Sequence, residues 1–273
     1  MTDIADPPVR YRVRAAAAAL AVAGIFFVLY PVLRPYTDET TLDGARAFAS
    51  TAWVVSHAMG MLGFIGLAIG LVGVHMAQRG TRDGTRSFWA LLMTWTGAGL
   101  VLTYYGAEAF GLRVIGRLAV QSGDTGLLDL AHQVRFGPGV VLFGAGLALL
   151  AAGGIMTAVT TARDRRLVRW GGVLTGVCLA LYLPQFFGPP PVRIAHGVLL
   201  AVGCLWLAAG LWIRRAAAPV TREHLARAVP APRAPYWDGA ALSRTGRLGP
   251  PGRLRLRAPS RGAGHPASAP CVP

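Results

Sequence analysis

The chain has 273 residues, 53% apolar and only 14% charged, with a formal net charge of +15. Soluble domains carry about 25% charged residues, so this composition, with a mean hydropathy of +0.47, excludes an ordinary soluble enzyme. Residues 214–273 hold 11 of the arginines and 2 of the acids, and long apolar runs separate the remaining charges. Membrane topology therefore accounts for the positive charge better than nucleic acid does, and nucleic acid is set aside as a partner.

A hydrocarbon core about 30 Å thick needs about 20 apolar residues in a helix. In chain order six stretches qualify: 15–33, 52–77, 87–111, 137–160, 168–187 and 192–213. None alternates as a strand does. The expected fold class is all-α, a polytopic membrane helix bundle with six transmembrane helices. The first run follows Arg10, Arg12 and Arg14 and leads into Pro31, Arg34 and Pro35 with no small-residue cleavage site. It reads as a retained span, not a signal peptide.

Arginines in short loops set the orientation. Twelve fall on one side: Arg10, Arg12 and Arg14; Arg79, Arg82 and Arg86; Arg163, Arg165, Arg166 and Arg169; and Arg214 with Arg215. Six fall on the other (Arg34, Arg46, Arg113, Arg117, Arg135 and Arg193), diluted by Asp38, Glu39, Asp43, Asp124 and Asp129. Both termini are expected in the cytoplasm, with the chain in a bacterial inner (plasma) membrane. The organisation that follows is a cytoplasmic N-terminal segment 1–14, a transmembrane domain 15–213, and an Arg/Pro/Gly-rich tail 214–273. The tail has no apolar period and reads as disordered.

Between the third and fourth spans, residues 112–136 are long for a connection. Ser122 and Thr125 are candidate caps of a short helix bearing Leu127, Leu128, Leu130, Ala131 and Val134, at the outer interface. The link from span 5 to span 6, Leu183 to Arg193, contains Pro184 and Pro189–Pro191 and reads as a stiff corner with Phe186 and Phe187 as interfacial anchors. Glycines recur every seven residues at Gly139, Gly146 and Gly153 and at Gly203 and Gly210, and crowd span 2 from Gly60 to Gly73. Close backbone approach drives helix association in lipid, so spans 2, 4 and 6 are expected to form a tight centre. Cys178 and Cys204 lie in apolar runs and Cys271 near the C-terminus, a spacing that reads as spectator thiols.

Ionisable residues within spans are costly and mark candidate sites. His57, Glu108 and His196 lie at matched depth, about one turn from the outer ends of spans 2, 3 and 6. The outer ends add Tyr104, Tyr105, His132, Gln133, Arg135, Gln185 and Arg193, whereas the inner halves hold little that is polar beyond His75. These ten outer residues form the candidate polar pocket, walled by spans 2, 3 and 6. Two readings of the cluster stay open. In one it binds a small ligand, a metal ion or a partner. In the other Arg135 or Arg193 pairs with Glu108, the histidines bond to backbone or tyrosine, and the network only fixes the bundle.

His57 and His196 are the candidate axial pair for haem b, and with Glu108 and His132 the candidate metal ligands. The run Ser56-His57-Ala58-Met59-Gly60-Met61-Leu62-Gly63-Phe64 resembles a histidine-bearing span of the b-type cytochromes, which implies haem and electron transfer, as a separate protein or an oxidoreductase subunit. A small-solute transporter is a further alternative, although no inverted repeat or paired broken helices are visible. No nucleophile–base motif stands out, so an enzyme is not the favoured reading. The expected partners are the lipid bilayer and either a second copy or a membrane partner subunit.

Residues 10–213 resemble the uncharacterised six-span integral membrane proteins of GC-rich bacteria. The segments Tyr104-Tyr105-Gly106-Ala107-Glu108-Ala109-Phe110-Gly111 and Arg193-Ile194-Ala195-His196-Gly197 carry the resemblance. The coding bias agrees: all 27 basic residues are arginine, and lysine and asparagine are absent. That family implies a membrane bundle and no particular activity.

Overall fold

A computed structural model of the chain describes residues 7–164 and 166–213. The tail 214–273, with His224, His265 and Cys271, lies outside the described residues, as do residues 1–6 and Arg165. Among the described residues all regular structure is helical: α1 (Pro7–Leu33), α2 (Leu42–Ala49), α3 (Thr51–Gln78), α4 (Gly84–Gly106), α5 (Leu112–Ser122), α6 (Leu128–Phe136), α7 (Gly139–Thr161), α8 (Arg166–Ala180) and α9 (Pro190–Ile213). The first helix already runs through residues 7–14, which the sequence had assigned to an N-terminal extension.

Four helices, α1 from Val9, α3, α7 and α9, are long and apolar enough to cross a membrane. Their outward faces are as apolar as their inward ones: Ile25, Ile69, Ile155 and Leu199 are all about half exposed. In water such a surface would aggregate, and in hydrocarbon it is the expected one.

The six long helices form a closed ring in chain order, α1–α3–α4–α7–α8–α9, with α9 returning to α1. This corrects the expected pairing of spans 2, 4 and 6, because each glycine stripe serves a ring neighbour instead. A methyl group at Gly97 of α4 would lie 2.7 Å from the Gly146 carbonyl oxygen of α7, and one at Gly203 of α9 would lie 2.7 Å from the Thr175 amide of α8. At these positions only glycine allows the backbones to touch. The middle of the ring is filled by aromatic rings from α1, α3 and α4 and from the turn that follows α8, Phe27, Phe64, Tyr105 and Tyr182, in edge-to-face and tilted contacts 5.0–6.3 Å apart.

A second, smaller core sits at one end of the ring, where α2, α5 and α6 bury Ala45, Phe48, Leu112, Ala119, Leu128 and Ala131 around Trp53 at the start of α3. We call this the cap. Its helices are short, and polar side chains cap the starts of α2 and α3. The Thr41 hydroxyl accepts from the Gly44 amide in α2, and the Ser50 hydroxyl ends the α2–α3 bend by accepting from the Trp53 amide at 3.1 Å. Within 112–136, the expected caps Ser122 and Thr125 give way to Asp124, whose carboxylate accepts from the Gly126 amide at 2.8 Å. The sequence also showed no sign of α2, because eight residues with three apolar contacts are too few to register as a period.

Candidate functional site

Between α4 and α5 the chain makes one wide π-turn, Ala107–Gly111. The Leu112 amide bonds back to Ala107, and the Glu108 carbonyl instead accepts the indole N–H of Trp53 at 2.8 Å. Such turns often mark functional positions. Here the turn carries Glu108, which is buried at 6% exposure. A buried carboxylate is tolerable only when paired, and Arg135 of α6 supplies the pairing as a fork: Nε donates to Oε1 at 2.6 Å and Nη2 to Oε2 at 3.1 Å.

The network extends in both directions. Arg135 also donates to Glu39, whose second oxygen accepts from Arg34 Nη2 at 3.0 Å. The two guanidinium groups bracket Trp53, with Arg34 4.9 Å and Arg135 5.7 Å from its ring centroid. Burial alone would lower the pKa of Arg135, but the Glu108 and Glu39 carboxylates outweigh it and hold the group firmly protonated. On the far side of Glu108, His57 Nε2 stands 3.7 Å from Oε2. Its Nδ1 lies 2.7 Å from the Trp53 carbonyl. A carbonyl only accepts, so Nδ1 carries a proton, and Nε2 is the ring nitrogen that faces the carboxylate.

This network forms one wall of a cavity of about 960 Å³ lined by Tyr30, Arg34, His57, Tyr104, Glu108 and Arg193, among others. The opposite wall is apolar: Val140, Phe143 and Gly144 of α7, and Leu183, Phe186 and Phe187 of the corner before α9. Tyr104 joins the two walls, stacking on Phe143 at 4.2 Å while its hydroxyl donates to the Arg135 carbonyl at 3.3 Å. Tyr105 lies deeper, its hydroxyl 3.3 Å from that of Tyr182.

Of the ten residues singled out in sequence, six therefore line this cavity: His57, Tyr104, Tyr105, Glu108, Arg135 and Arg193. The other four do not. His132 and Gln133 are exposed on α6, the former stacked near Phe136. Gln185 and His196 line a much smaller neighbouring space beneath the corner. His196 precedes Gly203 by seven residues and so lies on the Gly203–Gly210 stripe, and that stripe faces α8, where Nε2 bonds to the Cys178 carbonyl at 2.8 Å. The cavity is bounded by α1, α3, α4, α7 and the ends of α6 and α9, a wider set than spans 2, 3 and 6.

Haem fits this arrangement poorly. His57 and His196 open onto different spaces, and the carbonyl bond of each ring still leaves its other nitrogen able to ligate. The remaining His57 nitrogen faces a carboxylate that Arg135 already holds. Among the described residues no three His, Cys, Asp or Glu side chains converge as metal ligands. Cys178 and Cys204 are free and buried.

Sequence reasoning missed Arg34, Glu39, Trp53 and the tyrosines Tyr30 and Tyr36. Arg34 and Glu39 entered only as loop charges, although their spacing across the Pro35 turn, with opposite signs five residues apart, was the available signal. No family model matches the chain, and neither a curated protein nor a solved structure does.

Proposed function

We propose that the chain is a six-span bacterial plasma-membrane protein with both termini in the cytoplasm, whose outer-side cavity binds a small molecule without catalysing a reaction. Support for six crossings comes from the ring. The 23 residues of α4 extend about 34 Å at about 1.5 Å per residue and pack between α3 and α7. The shorter α8 occupies the same depth between α7 and α9 and is lengthened toward the outer end by the turn Pro184–Phe187. The loop-arginine asymmetry supports the orientation, which puts the cap and the cavity outside.

One observation carries the binding reading: a cavity of about 960 Å³ with a fixed charged wall and an open apolar wall. Ligand sites commonly measure about 300–1,000 Å³ and combine apolar lining with a few placed polar groups. Among the described residues Ser56 and Ser87 lie beside His57 and His75, but each hydroxyl donates to a backbone carbonyl, and the His57–Glu108 pair is tied down by Trp53 and Arg135.

Gly144 supplies the test. A Cβ added there meets nothing within 4 Å, so Gly144→Phe fills the cavity from the α7 side without pushing helices apart. Native mass spectrometry of protein purified in mild detergent should show a small-molecule adduct on the wild type that is absent from Gly144→Phe. An adduct carried equally by both proteins, or by neither, overturns the reading.

A further inference from the structure

Six charged side chains line the cavity, Arg34, Arg135 and Arg193 against Asp38, Glu39 and Glu108, and among the described residues one of the cations has no ion pair. Arg34 pairs with Glu39, its buried Nε left without a partner among those residues, and Arg135 pairs with both Glu39 and Glu108. Arg193 faces the same cavity but pairs with no carboxylate among the described residues. Its Nη2 donates to the Phe186 carbonyl at 2.6 Å and its Nε to the Gly188 carbonyl at 3.1 Å. These neutral partners, with the Tyr36 ring 5.8 Å from the guanidinium carbon, hold the group in place without a carboxylate. Asp38, at the mouth, is fully exposed and engaged with Thr40, so water screens it from the half-buried Arg193.

The same corner that holds the free cation also presents the apolar wall. Phe186 lines the cavity, Phe187 is 86% exposed at its edge, and Leu183 and Phe136 extend the apolar rim. A free inorganic anion would use the cation and leave this wall and most of the volume unfilled. An uncharged apolar molecule would bury Arg193 without a counter-charge, which is costly. A ligand answering both features has an acidic group and an apolar chain.

Building on the ligand-binding reading above, we infer that the cavity takes an anionic amphiphile, with its acid head on Arg193 and its chain along Phe143, Gly144 and Phe186. The carboxylate or phosphate head makes charge-assisted bonds to the guanidinium, which the corner carbonyls already orient. The chain leaves between the start of α7 and the corner, where the exposed aromatic rim meets the lipid-facing surface.

The test uses full-length protein in mild detergent and four probes: palmitate, palmitoyl lysophosphatidate, monopalmitoylglycerol and inorganic phosphate. Native mass spectrometry should show both acids bound. Loss of a charge-assisted contact typically weakens binding about tenfold or more, and Arg193→Gln should do so while Arg193→Lys retains part of the affinity. Gly144→Phe should abolish binding of both acids. If monopalmitoylglycerol binds the wild type as well as palmitate does, and Gly144→Phe blocks it, the cavity reading stands and the acid requirement falls. If phosphate alone binds as tightly as lysophosphatidate, the chain requirement falls. If no probe binds, or Gly144→Phe changes nothing, both the inference and the reading beneath it fall. The acid-versus-glyceride comparison is made on the wild type, so it decides the question even if Arg193→Gln loosens the corner and fails to fold.

Discussion

Replacing Arg135 by methionine keeps most of the side-chain volume over Phe48 and Trp53 but removes the charge that joins Glu108 to Glu39. The two carboxylates should respond differently. Glu39 has a side chain 32% exposed and keeps Arg34, so its loss is at most about 1 kcal/mol, as for a surface pair. The Glu108 side chain is only 9% exposed and would retain His57 Nε2 at 3.7 Å and the Tyr104 hydroxyl as its neighbours, neither of them a fixed cation. Stripping one partner from a buried ion pair costs about 3–5 kcal/mol, and that term dominates. Glu108→Gln should cost less, because Arg135 keeps Glu39. In the double variant no buried charge is stranded, so its loss should fall short of the sum of the singles by about 1.5 kcal/mol or more, within the range seen for directly coupled residues. Unfolding in mixed micelles of dodecyl maltoside and increasing dodecyl sulfate, followed by helical circular dichroism and by Trp fluorescence, gives all four corners of the cycle. An Arg135→Met loss below about 1 kcal/mol together with additive singles would refute the argument that Arg135 is what makes a buried Glu108 tolerable.

Two further outcomes probe the bundle and its placement. Gly97→Ala should lower stability by about 1–3 kcal/mol, as overpacking does, because the new methyl meets the α7 backbone at 2.7–2.9 Å, whereas Gly99→Ala, with nothing within 4 Å, should be neutral or slightly stabilising in the same micelle titration; equal effects would mean that helix contact does not govern these sites. For topology, Thr125→Cys and Arg82→Cys, each combined with Cys271→Ser, place thiols on exposed positions at opposite ends of the bundle, while Cys178 and Cys204 stay buried. A membrane-impermeant maleimide should label intact cells at position 125 and spare position 82 until the membrane is opened; the reverse pattern would invert the proposed orientation.

The apolar runs were legible because a long helix in lipid is nearly its own explanation: backbone bonds close internally and length matches thickness. The depth of His57 and Glu108 was legible for the same reason, since counting residues from a span's end measures distance along a helix. Direction around the helix was less so. The seven-residue spacing sets His196 on the stripe of Gly203 and Gly210, yet that stripe serves α8, because a glycine face says that something approaches closely without saying what. The pairing of Glu108 with Arg135 was one of two arginine choices open in the sequence, and only the fold of the cap decides it. That fold rests on α2 and on a π-turn, neither of which leaves a periodic trace. Arg34 and Glu39 were hidden for a similar reason, as loop charges acquire neighbours only after the elements around them are placed.

The ring closes in chain order, and this bears on how the protein is made. Five of its six seams join helices that follow one another along the polypeptide, so each can form as a hairpin soon after its second member leaves the ribosome. The last seam, α9 on α1, cannot. Until Pro190–Ile213 is synthesised, α1 has no partner for the face where Gly24 meets Ala201 and the Phe27 carbonyl lies under Gly197. A nascent chain stopped before α9 would therefore hold an open five-helix arc whose two ends are both adhesive. The same groove that waits for its own α9 would accept the α9 of a second copy, which makes ring closure the step at which newly inserted molecules either seal themselves or exchange helices.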